Sequence, residues 1–248
     1  MRCTAGTAFH RVSEEKTARR AAPHLEGGHD GAPPNHDLAR HVRPAVEGGR
    51  VMVAVLAGGA GRRMGGEKAE RQLAGRLLID HVLMAAVGYA EDVVLCLKSP
   101  GQLTSTRGLE FVVDPPGLSG PLAGLAAAMG HAAELGFEFL LTVPCDTPAL
   151  PRDLLLKLDA AIGARSAAAA RSQGRDHPSC ALWRTQLTGH LAAYVASGRS
   201  SLYGLLREAD AIWVDWGDVA PDPFENLNTL DGLAAFERGI GHLHLPLT

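Results

Sequence analysis

A three-layer α/β fold around a doubly wound, mainly parallel sheet is predicted by two features of the sequence. Short, β-rich apolar runs alternate with longer amphipathic stretches from Val51 onward, and chain segments that alternate in this way pair as parallel strands joined through helices. The first apolar run also ends at once in a glycine-rich, cationic segment, as expected where a central strand opens into a ligand-binding loop.

The elements follow in order. Val51 to Ala57 reads as a buried strand, Leu77 to Tyr89 as a helix, Val93 to Leu97 as a strand and Phe111 to Val113 as a short strand. Leu122 to Leu135 reads as a helix, and Phe137 to Val143 as a buried strand. Pro151 to Ile162 reads as a helix with Pro151 at its first position and Leu154, Leu155, Leu158 and Ile162 on one face. Beyond Ala167 the expectations are strands near 167–170 and 180–183 and helices near 186–196, 201–208 and 230–238.

Residues 1–50 carry few large apolar side chains and no sustained periodicity, so they are expected to form a disordered extension, with one α/β domain over 51–248. Because the folded pattern starts at once there, a native start at Val51 or Met52 is one expectation. Five of the eleven histidines (His10, His24, His29, His36 and His41) fall in this extension without metal-site spacing.

Composition narrows the function classes. With 46% hydrophobic and 21% charged residues and a net charge of -3, the chain has no basic field for nucleic acid or an anionic membrane, which favours a small-molecule substrate. No apolar run reaches the ~18 residues of a membrane span, and no secretory signal is read at the N-terminus, so a cytoplasmic protein is expected. The four cysteines are far apart and show neither zinc nor redox spacing.

In a doubly wound sheet the ligand crevice lies beyond the carboxyl ends of the strands, so the segments after Ala57, Val113 and Val143 should converge. The first, Leu56 to Lys68, holds five glycines within nine residues (Gly58, Gly59, Gly61, Gly65 and Gly66) and the cations Arg62, Arg63 and Lys68. Glycines let backbone N–H groups approach phosphate oxygens, and the cations can neutralise a triphosphate. A dinucleotide fingerprint would need glycine in place of Met64, and a P-loop would need Gly-Lys-Ser/Thr in place of Gly66-Glu67-Lys68-Ala69. This is a different phosphate loop.

The second segment ends a strand in Asp114 and runs through Pro115 to Gly124 into a helix. Asp114 is either a ligand contact or a turn residue. The third, Pro144-Cys145-Asp146-Thr147-Pro148, delivers Asp146 between two prolines. A magnesium ion needs only one or two carboxylates when water and phosphate oxygens complete its shell, and a helix cap is the alternative for Asp146. Cys145 has no accompanying histidine or asparagine pattern that would make it a nucleophile. His177-Pro178 and Asn226-Leu227-Asn228-Thr229 are polar strand-end or helix-start segments suited either to acceptor binding or to turns and caps.

Taken together, Leu56 to Lys68, the Asp114 turn with Gly120 to Gly124, the Asp146 turn, His177-Pro178 and Asn226 to Thr229 resemble, in order and spacing, the molybdenum cofactor guanylyltransferases of the nucleotidyltransferase superfamily. The resemblance covers about residues 51–238. It implies a Rossmann-like nucleotidyltransferase fold and Mg2+-dependent transfer of GMP from GTP to molybdenum-bound molybdopterin. It also implies nucleotide contacts at Leu56, Ala57, Gly58, Gly59, Gly61, Lys68 and Asp114, and catalytic roles for Arg62, Arg63, Lys68 and Asp146. Asp146 would be the metal ligand, and His177, Asn226 and Asn228 would face the acceptor. Molybdenum insertion or molybdoenzyme maturation proteins are the implied protein partners.

The chain departs from that pattern in three places. Glu67-Lys68 follows Gly66 directly, making the loop one residue shorter with Glu in place of Asp; Cys96-Leu97-Lys98 stands where an asparagine is frequent; and Leu77 replaces a proline. A related transferase using CTP or another phosphorylated acceptor, and a non-catalytic nucleotide-binding protein, are the competing expectations. A nicotinamide-dependent oxidoreductase is disfavoured by the missing third glycine.

Overall fold

The computed structural model describes residues 49–59 and 68–240. Residues 1–48 of the expected extension, and Gly61, Arg62 and Arg63 of the glycine loop, lie outside the described residues.

Strand β1 (Val51–Leu56) is buried on both faces, as a strand covered by helices on each side must be. Val51, Val53 and Val55 enter one apolar core with helices α1 (Leu78–Tyr89) and α3 (Leu154–Ile162). Met52, Ala54 and Leu56 enter a second core with α2 (Pro121–Glu134), α4 (Thr188–Ala196) and α5 (Leu202–Glu208). The alternation of side chains along one strand thus produces the three layers.

β1 pairs in parallel with β4 (Asp92–Leu97) and β6 (Phe139–Pro144), and β4 pairs in parallel with β5 (Glu110–Val113). On the other side β8 (Arg175–Arg184) runs antiparallel to β6 and β7 (Ala167–Ser172), and β9 (Ile212–Asp215) closes the sheet parallel to β7. The seven-stranded order is β5-β4-β1-β6-β8-β7-β9, with β8 alone reversed. A small hairpin, β2 (Gln72–Leu73) and β3 (Arg76–Leu77), turns through Ala74 and Gly75, both at positive φ. Its Leu73 joins Leu78, Leu227 and Phe236 in a third cluster, which anchors the return of the chain into α6 (Leu230–Ile240). Among the described residues no helix is long and apolar enough to cross a membrane.

The fold matches the expected class, and several elements differ in detail. The helix expected from Pro151 begins at Leu154, because the Leu154 N–H closes a turn onto the Pro151 carbonyl at 3.0 Å. The Asp153 side chain accepts from Trp216 Nε1 at 3.0 Å rather than capping the helix. β8 begins five residues earlier than the expected strand at 180, so His177-Pro178 lies within it, beside a register shift at Ala169/Ala170. The four-residue β9 and the two-residue strands of the β2/β3 hairpin are too short for periodicity to reveal.

Two buried side chains of the core satisfy each other: Trp183 Nε1 donates to Thr142 Oγ1 at 3.0 Å, and that hydroxyl donates to the Ala181 carbonyl at 3.2 Å. Two glycines shape the approach of α2. Gly124 lets the helix lie against the sheet, since a Cβ there would sit 3.0 Å from Leu56 Cδ2 and 3.2 Å from Cys96 Cβ. Gly120, flanking the helix start, has φ 75 and ψ -167, a region essentially closed to side chains. Gly120→Ala is accordingly expected to lower the unfolding free energy by about 1–3 kcal/mol, read from the urea midpoint at unchanged slope.

Candidate active site

The carboxyl ends of β1, β5 and β6 open on one side of the sheet, and the chain from Asn226 to Asn228 crosses the same opening. Together they bound a cavity of about 410 Å³. Its lining includes Leu56, Gly58, Gly59, Lys68, Asp114 and Asp146, with Asn226 and Asn228 opposite. The expected convergence of three strand ends is therefore present.

At the end of β6 the chain continues its pairing with β1, Cys145 N–H donating to Leu56 O at 3.1 Å, and so brings Asp146 to the mouth of the sheet. Asp146 forms an ion pair with Lys68, both side chains being largely buried, and Lys68 Nζ also donates to Asn228 Oδ1 at 2.6 Å. The Asn226–Asn228 segment is held there by two further bonds: Leu227 N–H to the Asp146 carbonyl at 2.9 Å, and buried Thr147 Oγ1 to Asn226 Oδ1 at 2.6 Å. A cation thus already sits between a carboxylate and an amide oxygen. Among the described residues no three acidic, histidine or cysteine side chains gather as a metal cage. One carboxylate with a neighbouring amide oxygen instead fits a hard divalent ion that keeps water and takes phosphate oxygens.

Asp114, whose N–H donates to Leu97 O at 2.9 Å, turns its carboxylate over Gly58, where a Cβ would come within 3.1 Å of Oδ2. Oδ1 is shielded from solvent and has no hydrogen-bond partner among the described residues. Burial raises the carboxyl pKa above its usual value, with the nearby Lys98 charge pulling the other way. A desolvated acceptor without a donor is a costly arrangement that a ligand's N–H or O–H group would relieve. Cys145, at the cavity edge, has its thiol pushed up to about 12, chiefly by burial and then by the Asp146 charge. It stays a protonated packing residue, as its lack of a partner pattern implies.

Two expected contacts sit elsewhere. Ala57 is 1% exposed and does not line the cavity; its N–H donates to Cys96 O at 2.9 Å and its carbonyl accepts from Gln102 Nε2 at 2.6 Å. His177 does not line it either, whereas Ser179 further along β8 does. The His177 ring stacks on Phe224 at 4.9 Å between centroids, with Nε2 2.8 Å from Ser172 Oγ and 4.0 Å from Asp222 Oδ2. Buried Asp222 accepts from Ser172 Oγ at 2.6 Å and from Phe224 N–H at 3.0 Å, so the cluster fixes the chain that leads into Asn226. Sequence reasoning missed Ser179 and Gln102. No motif marks either.

Burial lowers the His177 pKa below its ordinary 6.5, outweighing the Asp222 charge. The folded protein then binds fewer protons at this site than the unfolded chain, so stability falls as pH drops through and below that value. His177→Gln is expected to flatten this decline, measured as the difference in urea midpoint between about pH 7.5 and about pH 5.5.

Comparison with known proteins agrees with this geometry. Residues 53–212 match the MobA-like NTP transferase domain. The chain is 40% identical to the molybdenum cofactor guanylyltransferase of Rhodobacter capsulatus over 190 residues, covering 76% of this chain and 95% of that protein. It is 37% identical to the enzyme of the same name from Acidiphilium cryptum, covering 77% and 96%. Among solved structures, molybdopterin-guanine dinucleotide biosynthesis protein A from Archaeoglobus fulgidus superposes with a TM-score of 0.64 at 26% identity, covering 77% of this chain and 98% of that one. With the converging strand ends, the Lys68–Asp146 pair in the cavity and these likenesses in agreement, the chain belongs to the molybdenum cofactor guanylyltransferase family.

Proposed function

We propose that this chain transfers GMP from GTP to the terminal phosphate of molybdenum-bound molybdopterin, releasing pyrophosphate and forming the guanine dinucleotide. The observation that carries the reading is the buried Lys68–Asp146 pair, with Asn228 beside it, at the meeting point of the strand ends. A buried cation held by oxygen atoms, with glycine backbone at its side, suits a polyanionic substrate.

In the reaction an oxygen of the acceptor phosphate attacks the α-phosphorus, and the bond from that phosphorus to the bridging oxygen of the β-phosphate breaks, so that pyrophosphate leaves. No protein nucleophile is required. Lys68 moves from Asp146 to the triphosphate oxygens, with Arg62 and Arg63 adding charge neutralisation and Gly61 a nucleotide contact. Asp146 and the Asn228 amide oxygen would be the groups that hold Mg2+. When bound, that ion would neutralise charge on the phosphates.

Leu56, Gly58 and Gly59 flank the nucleoside, and the unpartnered Asp114 oxygen accepts from one of its N–H or O–H groups. Asn226, held by Thr147, and Asn228 form the acceptor side. His177 serves that side by fixing the chain from Asp222 to Asn226. Residues 51–248 are the transferase domain. The cytoplasm is the proposed location, with molybdenum insertion or molybdoenzyme maturation proteins as partners; the net charge of -3 argues against a nucleic-acid or membrane partner.

The test is pyrophosphate release by purified protein with magnesium and molybdenum-loaded molybdopterin, comparing GTP with CTP and reading the product mass. Release with GTP and a guanine dinucleotide product is expected; release with CTP alone would overturn the base assignment. Lys68→Ala and Asp146→Ala are each expected to fold, by circular dichroism, and to lose about 100-fold or more in rate. A near-normal rate in either variant would remove its role.

A further inference from the structure

Beside the main cavity lies a second of about 210 Å³, which shares Gly58, Gly59 and Lys68 with it and is walled by Ala69, Lys98, Ser99, Gln102 and Leu103. All of these wall residues but Ala69 belong to one loop between β4 and β5, and the half-buried Gln102 of that loop uses both ends of its carboxamide. Oε1 accepts from the Lys98 N–H at 2.6 Å, and Nε2 donates to the Ala57 carbonyl at 2.6 Å. One side chain therefore ties the loop after β1 to the loop after β4.

The bond to Ala57 has a consequence one residue on. The Ala57 carbonyl and the Gly58 N–H belong to the same planar peptide unit and point in opposite directions. Fixing the carbonyl onto Gln102 fixes the Gly58 N–H away from it. Among the described residues that N–H has no partner, and the Asp114 carboxylate, itself carrying an unpartnered oxygen, lies directly against Gly58. A fixed donor and a fixed acceptor side by side form an edge that reads a complementary edge on a ligand.

The Gln102 loop is also braced from behind. Thr104 donates through its N–H and its hydroxyl to Glu70 Oε1 at 2.8 and 2.5 Å, and Arg107 pairs with Asp80 at 2.8 Å. The wall that holds Ala57 is thus anchored to the turn carrying Lys68 and to α1. Gln102 does not line the main cavity that holds Asp146, and its bond falls on the Ala57 peptide, so its influence is assigned to the part of the substrate that meets Ala57–Gly58.

We propose that Gln102 is a positioning residue for base selection: by fixing the Ala57–Gly58 peptide it sets the donor that, with Asp114, discriminates the nucleotide base. The inference rests on the nucleotidyltransferase reading above and adds a residue to it.

The experiment measures, on the full chain, calorimetric binding of GTP, ATP, CTP and inorganic tripolyphosphate to the wild type, Gln102→Met and Gln102→Glu. Methionine removes both hydrogen bonds at similar shape; glutamate keeps the acceptor toward Lys98 and loses the donor to Ala57. Both variants are expected to weaken GTP binding about tenfold and to narrow the preference for GTP over ATP and CTP. Tripolyphosphate, which reports only the phosphate contacts, should keep its affinity within about twofold. In turnover the same variants should raise KM for GTP while leaving kcat near that of the wild type.

Equal weakening of GTP and tripolyphosphate would reduce Gln102 to a structural brace and overturn the proposal, as would an unchanged preference in Gln102→Glu. A wild type that binds tripolyphosphate but prefers no nucleotide would instead defeat the parent reading, and the proposal with it.

Discussion

An ammonium group withdrawn from water has to be surrounded by oxygen, and the architecture around Lys68 follows from that requirement. Its two partners come from far apart in the chain, Asp146 at the end of β6 and Asn228 just before α6. Bringing them to one point requires β1 and β6 to run side by side in the same direction, and the chain after β9 to return across the sheet. The bond from Leu227 to the Asp146 carbonyl and the packing of Leu227 with Leu73, Leu78 and Phe236 secure that return. On the proposed reading an anionic substrate would exchange one set of oxygens around Lys68 for another, a change confined to the side chains.

The cluster of Ser172, His177, Asp222 and Phe224 performs a related task at the other end of the returning chain. Its polar groups satisfy one another, and its ring stacking holds the chain rigid just before Asn226 enters the cavity. The histidine therefore acts on the site through the backbone.

Much of this arrangement was legible in the sequence, because the central strands are apolar on both faces and the helices between them carry one apolar face each. The convergence of Gly58, Asp114 and Asp146 followed from strand direction alone, since each ends a parallel strand. What escaped depended on partners remote in sequence. His177 has the same composition cue whether it faces a ligand or Phe224, and only the register shift beside Ala169/Ala170 together with the path of the later chain decides between them. Gln102 escaped for the same reason: a glutamine in a Ser-Pro-Gly loop carries no mark of a tie to residues 45 positions earlier. The start of α3 was misjudged because proline suits both a helix's first turn and the bend before it.

The contact between α2 and the sheet bears on how such a protein can diverge. With Gly124 pressed against Leu56 and Cys96, the three positions share one fixed volume, and α2 starts at Gly120 and Pro121 on the cavity wall. A larger side chain at position 96 would have to be matched by a smaller one at 56, or the helix start would be displaced into the substrate space. Among descendants of this sequence, residues 56, 96 and 124 should therefore drift as a trio, their sizes anticorrelated, while positions on the outer surface of α2 vary independently.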